Sequence, residues 1–187
     1  MAERDSFRGA MRRMAATVCV LSTQHHGGRF GITVSSVASL TLEPPTLCFG
    51  VRRTSPFCQP MIDSGWLCVN VLSREQEAIG RVFATPPAGE HRFETGEWFI
   101  HDMVSETAVE AMVRLPCLVR AQANLVCRLD RTIAHGTHYL CLAEVEHVLA
   151  QDRIAPLLYC DGDYHELAPP SGQPPASAHH LSSRNRA

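Results

Sequence analysis

Several stretches of this chain alternate apolar and polar positions with the period of a strand, and only short ones carry helical spacing. Thr17 to Thr23 is an apolar, β-branched run. The turn signal Gln24-His25-His26-Gly27-Gly28 follows it, and Arg29 to Val34 returns as a second strand. Thr46 to Val51 and Trp66 to Leu72 read as core strands. Cys117 to Ile133 and His138 to Leu149 are longer β-rich runs joined by Ala134-His135-Gly136-Thr137. Asp161-Gly162, between Pro156–Cys160 and Tyr164–Leu167, is a strong hairpin signal. Helical spacing is confined to three segments. Asp5 to Met14 sets Phe7, Met11 and Met14 on one face; Pro56 to Ser64 is interrupted by Pro60; and Arg74 to Ala84 is opened by a Ser73/Gln76 capping box. Thr85 to Glu90 is a loop, and irregular structure is expected to about Ser105; Phe93, Trp98 and Phe99 there either cover the core, the favoured reading, or flank a ligand. Strands in hairpin order with short helices between them predict a mainly β, antiparallel barrel with helical inserts. No G-x-G-x-x-G follows a strand, so a doubly wound dinucleotide fold is excluded.

Composition narrows the picture modestly. The chain has 187 residues, enough for one domain with a real core, and 45% of them are hydrophobic. One domain is expected over residues 1–167. From Ala168 the sequence turns to Pro, Ser, Gly and Ala, which predicts a flexible tail over 168–187. A net charge of -2 argues against nucleic-acid binding. The charged N-terminus and the lack of a long apolar window point to a cytoplasmic protein without membrane association. The eight cysteines include no C-x-x-C pair and mostly lie in strand-like apolar runs, so buried, reduced thiols are expected, with neither disulfides nor metal.

The candidate chemistry is concentrated between Gly31 and Pro56. Thr33, Ser35, Ser36, Ser39 and Thr41 place small donors and acceptors beside backbone that can bend. Arg52, Arg53, Thr54 and Ser55 then set two guanidiniums and two hydroxyls directly after an apolar strand. Ser55-Pro56 reads as a helix start, and a helix N-terminus beside arginines suits a phosphate. By themselves the same residues also fit an ordinary turn and a solvated basic edge.

Read in order, the segment resembles the flavin reductase-like family, whose members fold as FMN-binding split β-barrels. Gly31-Ile32-Thr33-Val34-Ser35-Ser36 is similar to its G-x-T-A-S-S-like turn, and Ser39-Leu40-Thr41-Leu42-Glu43-Pro44-Pro45 to its S-L-x-P-P corner. His135 to Val145, HGTHYLCLAEV, resembles a family G-D-H-T-L-F-I-G-E-V element, with Thr137 in place of its aspartate. The closing L-x-Y-x-x-G-x-Y-H-x-L hairpin is matched by Leu157 to Leu167. His91-Arg92-Phe93 stands where the family has a D-R-F-like element, and Ser55-Pro56-Phe57-Cys58 where it often has Ser-x-Thr-His.

The resemblance implies an NAD(P)H-dependent flavin reductase: NADH or NADPH reduces FMN or FAD, and a partner flavin-dependent monooxygenase uses the reduced flavin. It implies that Thr33, Val34, Ser35, Ser36 and Ser39 hold the ring and ribityl chain, and that Arg52, Arg53, Thr54 and Ser55 hold the phosphate. His138 is the implied catalytic residue, near the nicotinamide, and the implied assembly is a homodimer. Rival readings are a flavin-dependent oxidase or monooxygenase acting on an organic substrate, and a non-catalytic flavin- or haem-binding module. A metal site at His135, His138 and Cys141 is disfavoured, since residues three apart on a strand face opposite ways.

Overall fold

The computed structural model describes residues 3–104 and 112–168. Helix α1 (Arg4–Met11) leads into β1 (Ala16–Thr17) and β2 (Cys19–His25), which turns through His26-Gly27 into β3 (Gly28–Val34). Strands β4 (Ala38–Leu42) and β5 (Pro45–Arg52) form the next hairpin, followed by α2 (Cys58–Ser64) and β6 (Trp66–Val71). A 3-10 turn over Arg74–Gln76 opens α3 (Glu77–Ala84). Strand β7 (Trp98–Val104) pairs with β8 (Met112–Leu118), and β9 (Ala123–His135) with β10 (His138–Ala150). Strands β11 (Leu157–Cys160) and β12 (Asp163–Glu166) close the chain.

Among the described residues, seven strands form one sheet in the order β3-β2-β6-β9-β10-β5-β4. A three-stranded sheet, β1-β11-β12, and a two-stranded ribbon, β7-β8, stand beside it. All the named pairs are antiparallel, so the mainly β, antiparallel architecture with short helical inserts is as expected. Two hairpin turns follow their sequence signals: His26-Gly27 and Asp161-Gly162 both take the positive φ that two-residue hairpins require.

Other boundaries differ from expectation. The hydroxyl-rich stretch after Ser36 contains β4, an edge strand that alternates apolar and polar residues but whose five residues are all exposed. The excursion after Glu90 is not irregular to Ser105, because β7 runs from Trp98 to Val104; Ser105 itself lies outside the described residues. Phe93 is buried and Trp98 packs between Phe83 and Phe93, so both cover the core, whereas Phe99 is exposed. The run from Cys117 to Ile133 is broken at 119–122, where Arg120 takes φ 58° and splits β8 from β9. Helix α1 ends at Met11 with Glu3 as its cap residue, and Phe7, Met11 and Met14 are exposed. Helix α2 starts at Cys58 rather than Pro56; Pro60 falls in its first turn, where its missing N–H has no intrahelical partner to lose. Apart from Ala168, the expected tail lies outside the described residues.

The large sheet is buried on both faces where β2 and β6 run. Cys19, Leu21, Leu67 and Val69 pack with Phe49, Val51, Phe57 and Met61 beneath α2. Val18 and Val20 pack with Leu72, Ile79, Phe83 and Leu157 beneath α3. Each such side chain withdrawn from water contributes about 1.5–3 kcal/mol. Among the described residues no strand ladder joins the β7-β8 ribbon to this sheet; a buried polar chain does. Asn124 Nδ2 donates to Asn70 Oδ1 at 2.8 Å, Asn70 Nδ2 donates to Ser22 Oγ at 2.8 Å, and the Ser22 hydroxyl donates to Pro116 O at 2.6 Å. Leu118 N–H also donates to Asn70 Oδ1, at 2.8 Å. All eight cysteines are free, and burial pushes the Cys19, Cys127 and Cys141 thiols up to about 12.

Candidate functional site

Strand β5 delivers the basic loop. Phe49 and Val51 point into the core, and alternation sends Gly50 and Arg52 outward. The chain then turns: Ser55 N–H donates to Arg52 O at 2.9 Å, and Phe57 N–H to Ser55 Oγ at 3.3 Å. Phe57, 2% exposed, anchors the far end of the loop in the core. Arg53 N–H donates to Thr137 O at 3.0 Å, which clips the loop to the β9-β10 turn. The Arg53 guanidinium lies 5.4 Å above the Tyr139 ring. The helix start expected at Ser55-Pro56 lies instead at Cys58, so the loop itself offers guanidiniums, hydroxyls and turn N–H groups.

Two cavities open beside the loop. The larger, about 640 Å³, is lined by Arg4, Arg52, Arg53, Thr54, Thr137 and Tyr139, among others. The smaller, about 300 Å³, lies between Gly31-Ile32, the Arg52–Ser55 loop, Phe83 and Arg92. Arg52 and Thr54 line both. None of the ion pairs among the described residues uses Arg4, Arg52 or Arg53, and no lining residue of the larger cavity is acidic. Cys58 also lines it. Burial raises that thiol while Arg53 pulls it back, and the net direction is upward, so no activated nucleophile results.

The remaining expected residues fall into different surroundings. The Thr33 hydroxyl donates to Gly80 O at 2.7 Å, tying β3 to α3, and Val34 packs against the core. Ser36 Oγ accepts from Gly50 N–H at 3.1 Å, which brings it beside β5 two residues from Arg52. Ser35 is exposed, and Ser39 is exposed on β4 opposite Leu47. His138 opens β10 as the direct cross-strand neighbour of both Arg52 and His135. Tyr139 and Cys141 face the core, so His138 takes the outward face, and its Nδ1 lies 2.9 Å from Thr137 Oγ1. It lines neither cavity. The cross-strand pairing of His135 and His138 also differs from the opposite-face arrangement used above against a metal site. Among the described residues no group of three or more His, Cys, Asp or Glu side chains could hold a metal.

Two residues escaped the sequence reading. Arg4 reaches the larger cavity from α1, and nothing in its local sequence signals that convergence. Arg92, only 5% exposed, donates to Gly31 O at 3.3 Å, Phe83 O at 3.2 Å and Pro87 O at 3.3 Å, and to Thr85 O as well. Burial lowers its pKa from the ordinary arginine value, and four carbonyls compensate that cost with no carboxylate. It fastens the segment after α3 to β3 and thereby shapes the wall of the smaller cavity. The signal for it was the His91-Arg92-Phe93 match.

The chain has relatives along nearly its full length. A family model described as a flavin reductase like domain matches residues 11–168. The FMN reductase (NADH) RutF of Pseudomonas syringae pv. syringae is 33% identical over 171 residues, which cover 91% of this chain and 89% of that protein. The 4-hydroxyphenylacetate 3-monooxygenase reductase component of Pseudomonas aeruginosa is 35% identical over 168 residues, covering 89% and 93% respectively. Among solved structures, the NADH:FAD oxidoreductase of Streptomyces globisporus C-1027 matches with a TM-score of 0.75 at 26% identity, covering 89% of this chain and 95% of that one.

Proposed function

This chain belongs to the flavin reductase-like family, and on that premise we propose that it reduces FMN or FAD with NADH and delivers the reduced flavin to a separate monooxygenase. The observation that carries the reading is the chain-long match to reductases whose names specify NADH and a flavin. The donor set fits a phosphorylated ligand: guanidiniums that form no ion pair among the described residues, two hydroxyls and turn N–H groups at the end of β5, with no carboxylate in the lining of either cavity. When bound, the flavin supplies the ring that accepts hydride. The protein's part is positioning. Arg52, Arg53, Thr54 and Ser55 hold the phosphate; Ser35, Ser36 and Ser39, with the backbone at Thr33 and Val34, line the ring's polar edge and ribityl chain. His138, beside Arg52 and steadied by Thr137, faces the nicotinamide.

Anaerobic mixing of flavin-loaded protein with NADH tests both the reaction and the histidine. The flavin band should bleach, and His138→Ala should slow bleaching about tenfold while flavin affinity holds. No bleaching would favour an oxidase acting on an organic substrate, and retention of flavin without turnover by any donor would favour a binding module.

The same reading includes a homodimer. It is supported by the exposed Leu40 and Leu42 on β4 and by Ile133 and Leu140, cross-strand neighbours on β9 and β10 that are 45% and 43% exposed. Apolar side chains concentrated on one end of a sheet mark an association surface. Light scattering should return twice the 20.6 kDa chain mass, and Leu140→Asp should shift the protein to a single chain at micromolar concentration. A wild-type mass of one chain would remove the dimer.

A further inference from the structure

We propose that Cys68 and Cys117 are a modification site: hydrogen peroxide oxidises them to a disulfide that staples the β7-β8 ribbon to the large sheet. Cys68 stands on β6 and Cys117 on β8, and their Sγ atoms lie 3.5 Å apart. Drawing two sulfurs in contact to the ~2.05 Å of a bond takes a closure of only roughly 1.5 Å. Among the described residues no other pair of thiols is in such contact. Cys127, next to Leu67 in the β6-β9 register, belongs to the other face of the sheet and packs with Leu67 and Phe49. Cys68 and Cys117 share the opposite face with Leu115 and Val126.

Both thiols are fully buried, and burial, then the contact with Cys117, pushes the Cys68 thiol up, so the closed fold keeps it protonated and unreactive. The junction that buries the pair is also where the fold opens most readily. No strand ladder crosses it among the described residues, only the Asn124–Asn70–Ser22 chain and a small apolar cluster. Local opening there carries Cys117 away with β8 and bares Cys68 on β6. Water then reaches both sulfurs, and the desolvation that held Cys68 protonated is gone. The oxidant forms when dioxygen meets free reduced flavin in aerobic solution and takes up two electrons and two protons; only this origin rests on the reductase reading. One thiolate attacks the peroxide: an S–O bond forms, the O–O bond breaks, and hydroxide leaves to become water. The second thiolate attacks the resulting sulfenyl sulfur as the ribbon settles back. An S–S bond forms, the S–O bond breaks, and a second water leaves. Two thiols have given up two electrons, and their protons complete the two waters. The bridge joins positions 49 apart and encloses α3 and Arg92. A loop of that length strongly constrains the unfolded chain, so a reductase whose product generates peroxide is steadied by it.

The test treats the full chain with hydrogen peroxide, alkylates the remaining thiols in denaturant, and maps the digest by mass spectrometry with and without dithiothreitol. A reducible peptide pair containing Cys68 and Cys117 is expected. The melting temperature should rise by about 5–10 °C, dithiothreitol should reverse the rise, and β8 amides should gain hydrogen-exchange protection. Urea below the unfolding transition favours local opening and should speed the bridge several-fold. Cys117→Ala should abolish both the linked peptides and the rise in melting temperature; if that variant does not fold, the wild-type map alone assigns the pair. The proposal is overturned if both cysteines are recovered alkylated even in urea, if either pairs with a different cysteine, or if either becomes a sulfinic acid without a bridge. Because peroxide is added directly, failure of the bridge leaves the reductase reading standing, and failure to reduce flavin leaves the bridge testable.

Discussion

Replacing Arg52 and Arg53 together with alanine raises the Kd for FMN at least about a hundredfold while leaving the fold intact. A hydrogen bond to a charged group contributes about 1.5–3 kcal/mol, and the low end applies to two exposed guanidiniums; together they contribute about 3 kcal/mol, or a factor of more than a hundred. The loop itself should survive. Its turn is built from backbone groups, and the Arg53 N–H bond to Thr137 O is kept by alanine. Neither side chain is buried, so the melting temperature should move by no more than about 2 °C. Titration of flavin fluorescence at low and moderate salt measures the loss, and the wild-type affinity should weaken with salt more steeply than the variant's. A change below about threefold would place the phosphate elsewhere.

The second large effect is on stability. Asn70→Leu should cost about 3 kcal/mol, because leucine conserves size but leaves Leu118 N–H without its buried acceptor and takes one bond each from the Asn124 amide, the Ser22 hydroxyl and Val20 O. For a chain of this length that corresponds to a fall of roughly 6–12 °C in Tm. The loss should concentrate where the β7-β8 ribbon meets the large sheet, since Asn70 and Ser22 make that junction. Hydrogen exchange should therefore show β8 amides losing protection before those of β2 and β6. Uniform loss across all strands would mean that the ribbon is held by apolar packing, chiefly Cys68, Leu115 and Val126, and that the polar chain is incidental.

Local chemistry made some of this legible in the sequence and hid the rest. His26-Gly27 and Asp161-Gly162 announce their hairpins because few residue pairs tolerate positive φ in succession. Strand β4 is hidden although Ala38, Leu40 and Leu42 alternate with Ser39 and Thr41: it is five residues long, and the serines before it and Glu43-Pro44-Pro45 after it make the segment look like a turn until β5 pairs with it. The break at Arg120 is silent too, since an arginine at φ 58° is held by its surroundings and not by its own preference. In the site, Arg52 to Ser55 were visible because one loop carries them in order. Arg4 was not, because its approach depends on where α1 docks. His138 was visible as a residue, but its outward orientation follows from the register of β10 against β5, which a list of residues does not contain.

The first and the last sections of the described fold are neighbours. Ala16 and Thr17 pair with Tyr159 and Leu158, and the Arg12 guanidinium bonds to Asp161, 149 positions away. During synthesis, then, the first strand to leave the ribosome has no partner until nearly the whole chain has been made. Contacts this remote are slow to form, and the cluster around Val18 and Val20 stays incomplete until Leu157 arrives. A chain cut before residue 157 would therefore leave β1 without its strand partner and the core beside it open.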